Sequence, residues 1–330
     1  MTNPTPMLVL GAGSWGTALA LVLARNGHQV YLWDIDQALI QQIDSERENK
    51  RYIPGVAIPD NIIPIENLDT LPEDIKLCVM VVPCHALRSS LKLVSHLKDL
   101  IICLACKGFE PKTQKLNHVV VKETLPHADV AILTGPSFAK EVANALPTAV
   151  TIAAEENAIA NEVTEYFHSE KFRIYTHDDV VGAQIGGAVK NVMAIAAGIA
   201  DGLGFGANTR AALITRGLAE IMRLGIALGG KQETFMGLSG LGDLILTCTD
   251  DQSRNRRLGL LLAKGLTVEA ASQEIGQAIE GIKTAIEVKQ LAEKNQIDMP
   301  ITEQVVSVLN QETTPIDAVQ ILLNRDQKSE

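Results

Sequence analysis

The sequence predicts an α/β protein: an N-terminal doubly wound, mostly parallel sheet followed by a C-terminal all-α domain. Three observations carry this. Near-continuous apolar runs such as "KLCVMVVP" (76–83) and "DLIICLAC" (99–106) have the composition of strands covered on both faces. Segments with helical spacing alternate with such runs, the pattern of β-α-β units. After about residue 180 the strand signals stop and only helical segments follow. The 330 residues suffice for two cores, and the composition shift sets the expected domains at 1–180 and 181–330.

Element by element, "MLVL" (7–10) opens as a strand, and "SWGTALALVLARNGH" (14–28) reads as a helix that Gly27 stops. "QVYLWD" (29–34) is the next strand. Helical "QALIQQIDSERE" follows, and then Pro54, Pro59 and Pro64 mark a loop. The strands at 76–83 and 99–106 flank helical "HALRSSLKLVSHL"; "DVAILTG" (129–135), "PTAVTIAA" (147–154) and "KFRIYTH" (171–177) complete the sheet. Helices are then expected over 183–201, 207–228, 240–250, 253–264, 267–274, 280–295, 300–310 and 314–323, separated by Gly or Pro breaks.

Composition narrows the function classes. The chain is 46% hydrophobic and 21% charged, as in ordinary globular proteins, and its 4% aromatic content leaves Ala, Leu, Ile and Val to build the cores. A net charge of −10 argues against nucleic acid and anionic membrane as partners, so an anionic substrate would need a local basic pocket. The opening "MTNPTPM" has no basic or apolar leader character, which makes the cytoplasm the expected compartment. Residues 180–200 are apolar enough to span a bilayer, but a central Lys190 costs roughly 2.5–3.5 kcal/mol there. The segment therefore reads as a buried helix, without membrane insertion. Five cysteines make no disulfide framework. Cys103-Leu-Ala-Cys106 lies in a strand-like run and reads as packing, its redox role left open, and no metal-site spacing occurs.

Gly11-Ala-Gly13-Ser14-Trp15-Gly16 is a GxGxxG between a strand and a helix, the mark of a Rossmann-type domain. Gly11 permits the tight turn, Gly13 lets backbone approach a pyrophosphate, and Gly16 lets helix and strand pack closely. Asp34, ending the second strand, is placed to accept hydrogen bonds from ribose hydroxyls and to repel a 2′-phosphate. Asp36 adds to that repulsion, and no Arg or Lys follows in sequence until Arg47, so the cofactor reading, NAD(P), leans towards NAD. Ser14 and Trp15 sit where they can touch the cofactor, and Trp15 fits packing equally well.

A dinucleotide domain followed by a helical one suggests hydride transfer, which needs a general acid/base and a grip on the substrate. In "GGAVKNVMAIAAGIADGL" (186–203), Lys190 is the acid/base candidate, with Asn191 beside it and the close-packing Gly186 and Gly187 before it; the bland alternative is a snorkelling lysine. Lys107 follows a strand at its carboxyl end, where ligands of open α/β sheets bind. Gly135 and Ser137 in "TGPSFAKE" also follow a strand, and Ser137 suits a helix cap as well as a ligand. Asp243 in "GLSGLGDL" needs a partner, for which Lys190 is the obvious choice. "SRNRR", with Ser253, Arg254 and Asn255, starts a helix and offers the groups that bind phosphate.

Together the blocks "GAGSWGTALA", "CKGFE", "LTGPSFAKEV", "GGAVKNVMAIAAGIADGLGFGANTRAALITRGLAE", "GLSGLGDLILTCT" and "QSRNRRLG" resemble bacterial NAD(P)-dependent glycerol-3-phosphate dehydrogenases, over residues 7 to 323. The resemblance implies interconversion of dihydroxyacetone phosphate and sn-glycerol 3-phosphate for glycerophospholipid synthesis, by a cytoplasmic homodimer acting on a small phosphorylated substrate. It implies Lys190 as proton donor and acceptor. It implies Lys107, Gly135, Ser137, Lys190, Asp243, Ser253, Arg254 and Asn255 as substrate contacts, and Ser14, Trp15, Lys107, Ala139, Arg254 and Glu280 as cofactor contacts. Many members carry His or Arg just after the second strand; this chain has Asp34-Ile35-Asp36, which again leans towards NAD. Two other readings stand beside it: a hydroxyacid or 6-phosphogluconate-type dehydrogenase, which pairs the same kinds of domain, and a non-enzymatic NADH sensor, which needs no acid/base group.

Overall fold

A computed structural model describes residues 5–325. The chain separates into two compact units, Met1–Val180 and Val181–Glu330.

In the first unit the apolar runs become an eight-stranded sheet. In chain order its elements are β1 (Pro6–Leu10), α1 (Ser14–Arg25), β2 (Gln29–Trp33), α2 (Gln37–Glu46), β3 (Ile62–Pro64), β4 (Leu77–Met80), α3 (Cys84–Leu93), β5 (Ile101–Leu104), α4 (Asn117–Thr124), β6 (Asp129–Thr134), α5 (Ala139–Ala143), β7 (Thr148–Ala153), α6 (Asn157–Phe167) and β8 (Phe172–His177). The strand order is β3-β2-β1-β4-β5-β6-β7-β8. All neighbours pair in parallel except β6 and β7. The chain leaves β1 towards β2 on one side and returns to β4 on the other, so the topological switch point lies just beyond β1, where open α/β sheets bind ligands. β4 and β5 are buried at every residue, as their unbroken apolar runs require.

The sequence predicts a loop where β3 stands. That strand has three residues, with Pro59 ahead of it and Pro64 inside it, and prolines are tolerated there because β3 is an edge strand. Helices α4 and α6 occupy stretches that periodicity leaves unassigned, and α5, the helix expected after Ser137, has only five residues.

The second unit is helical: α7 (Val180–Gly202), α8 (Ala207–Ala227), α9 (Gln232–Met236), a π-helical turn at Leu238–Gly242, α10 (Asp243–Thr249), α11 (Arg254–Ala263), α12 (Val268–Ile275), α13 (Glu280–Lys294), α14 (Pro300–Leu309) and α15 (Pro315–Leu323). α7 is long and apolar enough to cross a membrane, but nearly all of it is buried within the protein. Small residues let its neighbours come close. A Cβ on Gly198 would run into the backbone of Arg256 and Gly259 on α11, so the two helices pack backbone to backbone. Sequence reading began α10 at 240; the glycines of "GLSGLG" open the π-helical turn first, and such turns recur at functional sites.

α14 lacks a side-chain cap of its own. Glu220 of α8, 1% exposed, supplies one: its carboxylate accepts from the backbone N–H of Ile301 (2.6 Å) and Thr302 (3.2 Å) and from the Thr302 hydroxyl (3.1 Å). Burial outweighs these bonds and pushes Glu220 up to about 7. The folded state thus holds this proton more tightly than the unfolded state, and stability declines as pH rises from the ordinary glutamate range to about 7. Thermal denaturation across that window is expected to show the decline in the wild type and a flatter profile in Glu220→Gln. Gly198→Ala is expected to destabilise the protein by roughly 1–3 kcal/mol through overpacking, measured by denaturant titration.

Candidate active site

In the first unit, the loop after β1 is shaped by three glycines with different duties. Gly11 has a φ of +110°, and a Cβ there would lie 2.7 Å from the Val81 carbonyl oxygen. A Cβ on Gly16 would collide with the Gly11 carbonyl. At Gly13 an added Cβ would meet nothing within 4 Å, although the backbone there (φ −67°) suits any residue. Gly13 is also the N-cap of α1, with no side chain capping the helix. A twelve-residue helix thus presents its N-terminal amides to open space through a glycine, which fits a dinucleotide pyrophosphate.

Two side chains hold this loop. Asp34 accepts from the Ala12 N–H (2.7 Å) and the Asp36 N–H (3.0 Å). Buried Asn49 donates to the Ala12 carbonyl and to the Thr17 hydroxyl, both at 2.8 Å. Both backbone groups of Ala12 are therefore fixed from outside the loop. Asn49 was not legible in advance: it sits in the polar run "ERENK", and nothing in the sequence marks it as buried. Asp36 caps α2 and pairs with Arg51 at 3.0 Å, so a cation does approach this corner, supplied from further along the chain than sequence distance suggested. Trp15 is half-buried against the core of this unit, and Ser14 is half-buried too.

Lys107 is half-buried beyond the carboxyl end of β5, followed by Gly108 with a φ of +130°. Gly135, after β6, has a φ of +134°, and its Cβ would come within 3.1 Å of the Val150 Cα. That glycine is required by packing whether or not it meets a ligand. Ser137 donates to the Gly135 carbonyl (3.1 Å) and does not cap α5, which begins at Ala139.

In the second unit, Lys190 and Asp243 form a buried ion pair, 7% and 1% exposed. Lys190 Nζ also donates to Thr247 Oγ1 (2.8 Å), whose hydroxyl donates to the Asp243 carbonyl (2.6 Å). The pairing has a local cause. One helical turn before Lys190, a Cβ on Gly186 would strike the Ser239 carbonyl, so the π-helical turn lies directly on α7. One turn after Ser239 comes Asp243. Thr247, a turn further, completes the cluster; sequence reading missed it because a threonine inside "LILTCT" looks like any helix residue.

The "SRNRR" block divides by direction. Ser253 caps α11, its hydroxyl accepting from the Arg256 N–H (3.2 Å). Asn255 donates to Asn191 Oδ1 (3.0 Å) and accepts from the Gly281 N–H (3.0 Å), next to exposed Glu280 at the start of α13. Arg256 turns inward, bonded to Asp201, to Asp251 (2.8 Å) and to the Cys248 carbonyl (3.2 Å). Arg254 is half-buried, and its guanidinium makes no hydrogen bond or ion pair among the described residues. The Asn191–Asn255 bond joins the chain neighbour of Lys190 to the chain neighbour of Arg254.

Comparison with known proteins matches both units. Residues 6–160 fit the family model for the N-terminus of NAD-dependent glycerol-3-phosphate dehydrogenase, and residues 179–320 fit that for its C-terminus. The chain belongs to the NAD-dependent glycerol-3-phosphate dehydrogenase family. A curated relative in Thioalkalivibrio sulfidiphilus, glycerol-3-phosphate dehydrogenase [NAD(P)+], is 51% identical over all of both chains. Another of that name, in Shewanella sediminis, is 50% identical over all of this chain and 99% of its own. The crystal structure of glycerol-3-phosphate dehydrogenase from Coxiella burnetii superposes with a TM-score of 0.94 at 45% identity, covering 98% of this chain and 99% of that one. The family supports the glycerol-3-phosphate reading over the hydroxyacid and sensor alternatives.

The two glycines of the nucleotide loop make separable predictions. Gly13→Ala is expected to fold with unchanged thermal stability yet bind NADH at least roughly tenfold more weakly, because its Cβ fills ligand space alone. Gly16→Ala is expected to lower the melting temperature, because its Cβ meets backbone. Fluorescence titration and thermal denaturation measure the two effects.

Proposed function

We propose that this NAD(P)-dependent glycerol-3-phosphate dehydrogenase uses Lys190 as the acid that protonates the carbonyl oxygen of dihydroxyacetone phosphate, with NADH as its preferred cofactor. The reading divides the work between the units: Met1–Val180 holds the dinucleotide and Val181–Glu330 supplies the acid and the substrate grip. The bound cofactor supplies the hydride that carbon 2 receives.

The observation that carries this assignment is the Asn191–Asn255 bond of 3.0 Å. Through it, the stretch of α7 whose Lys190 is held by Asp243 and Thr247 is tied to the first turn of α11, which carries Arg254. In reduction, Lys190 gives a proton to the developing alkoxide and recovers one from solvent, while Asp243 keeps the amine aimed. Arg254 and the amides at the α11 N-terminus grip the phosphate, as the net-negative chain demands of an anion site. Asn255, held by two bonds, is a fixed contact. Ser253 and Glu280 flank the same turn. On the dinucleotide side, Lys107, Gly135, Ser137 and Ala139 follow strand ends, where a ligand of this fold is reached. Asp34, at the end of β2, would accept from the ribose hydroxyls of a bound dinucleotide, and its charge would disfavour a 2′-phosphate. The product serves glycerophospholipid synthesis in the cytoplasm, and the enzyme works as a homodimer; family resemblance supports these last points, and light scattering should return twice the 35.5 kDa chain mass.

Steady-state assays test the assignment. The protein is expected to oxidise NADH with dihydroxyacetone phosphate, to ignore hydroxyacid carbonyls, and to favour NADH over NADPH at least roughly tenfold in kcat/KM. Arg254→Ala should raise the KM for dihydroxyacetone phosphate by at least about 30-fold. An unchanged KM would remove Arg254 from the phosphate site.

A further inference from the structure

The five cysteines fall into two groups. Cys78, Cys103 and Cys248 are buried; burial pushes the Cys103 and Cys248 thiols up to about 12 and Cys78 higher still. Cys84 and Cys106 are half-buried. The CxxC of the sequence is split by burial: Cys103 is buried within β5, while Cys106 lies past the strand end and shares the side-chain amide of Asn117 with Cys84, the first residue of α3.

Their meeting point is one side-chain amide. Asn117, 1% exposed at the start of α4, places Nδ2 3.4 Å from the Cys84 sulfur, 3.5 Å from the Cys106 sulfur and 3.2 Å from the Gly108 carbonyl oxygen. Two sulfurs that touch the same nitrogen lie at most about 7 Å apart, within reach of the 2.05 Å S–S bond after modest side-chain movement. They follow two neighbouring strands, β4 and β5, whose last residues Met80 and Leu104 lie opposite each other. The same amide ties the sulfurs to the Gly108 backbone, one residue beyond Lys107.

We propose that Cys84 and Cys106 are a peroxide-sensitive thiol pair whose closure to a disulfide displaces the Lys107–Gly108 turn and slows turnover. One thiolate attacks the peroxide oxygen, forming an S–O bond and releasing hydroxide as the O–O bond breaks. The second thiolate attacks that sulfenic sulfur, forming the S–S bond and expelling the oxygen as hydroxide, which takes up a proton to leave as water. In sum two thiols lose two electrons and two protons, and hydrogen peroxide is reduced to two waters. The effect on rate rests on the role proposed above for Lys107; formation of the bond does not.

The experiment treats the full-length protein with hydrogen peroxide, alkylates it with N-ethylmaleimide, maps the peptides and follows dihydroxyacetone phosphate reduction. Expected are a peptide crosslinked between residues 84 and 106, lighter by two hydrogens, and a fall in turnover of at least about fivefold that dithiothreitol reverses. Cys84→Ser should keep the reduced wild-type rate and lose both the crosslink and the reversible inhibition. Independent alkylation of both thiols after peroxide, a crosslink at residues 78 and 103 instead, or a residue 84–106 crosslink with unchanged turnover each overturns the proposal. If the reduced wild type fails to reduce dihydroxyacetone phosphate at all, the failure belongs to the functional assignment, and the crosslink alone then decides the thiol pairing.

Discussion

The second unit depends on one buried charge pair. An ammonium on a mostly apolar helix loses several kcal/mol of hydration on burial, and so does the carboxylate that meets it. Neither charge is sustainable alone at the exposures of Lys190 and Asp243, so the packing around them has to deliver both to the same place. Gly186 does this. By removing one side chain from α7, it lets the π-helical turn rest against the helix backbone, and equal steps of one turn along each segment then bring residue 190 opposite residue 243. Further along α7, Gly198 repeats the device with α11, which carries Arg254 and Asn255. The unusual run of glycine and alanine in α7 is thus the means by which polar side chains are assembled inside a helical core.

The same logic explains how a chain of net charge −10 offers a home to an anion. Positive potential is local: the N-terminus of α11 and the Arg254 guanidinium, which has no hydrogen bond or ion pair among the described residues. Arg256, two residues from Arg254, is held by Asp201 and Asp251 and anchors the turn from within. Of the three arginines in the block, one is structural and one is available to a phosphate, a division set by helical direction and not by composition.

Much of this was readable from residues alone. Strand runs buried on both faces, the alternation with helices, the glycine loop and its following acid each follow from short-range rules, and the Lys190–Asp243 pairing followed from asking where a buried charge finds its partner. The unread parts share a physical character. β3 is three residues long and contains a proline, so no periodicity can accumulate. Asn49, Thr247 and the Asn191–Asn255 bond depend on contacts across 32 to 64 residues of sequence, which local pattern does not encode. The π-helical turn adds one residue to a helical register and looks, in sequence, like a glycine-rich loop. Cys106 pairs with Cys103 in the sequence pattern because they are close along the chain, whereas β5 ends at Leu104 and Cys106, beyond it, shares Asn117 with Cys84.

The most direct test of the account is a double-mutant cycle on turnover, with NADH binding as the control for folding. Asp243 is assigned an effect that acts wholly through the Lys190 amine. Lys190→Met and Asp243→Asn should each cut the rate of dihydroxyacetone phosphate reduction by at least roughly 100-fold, and the double variant should be no slower than Lys190→Met alone. Losses that multiply in the double variant would show that the two residues act independently, and the buried pair would then not be the catalytic unit described.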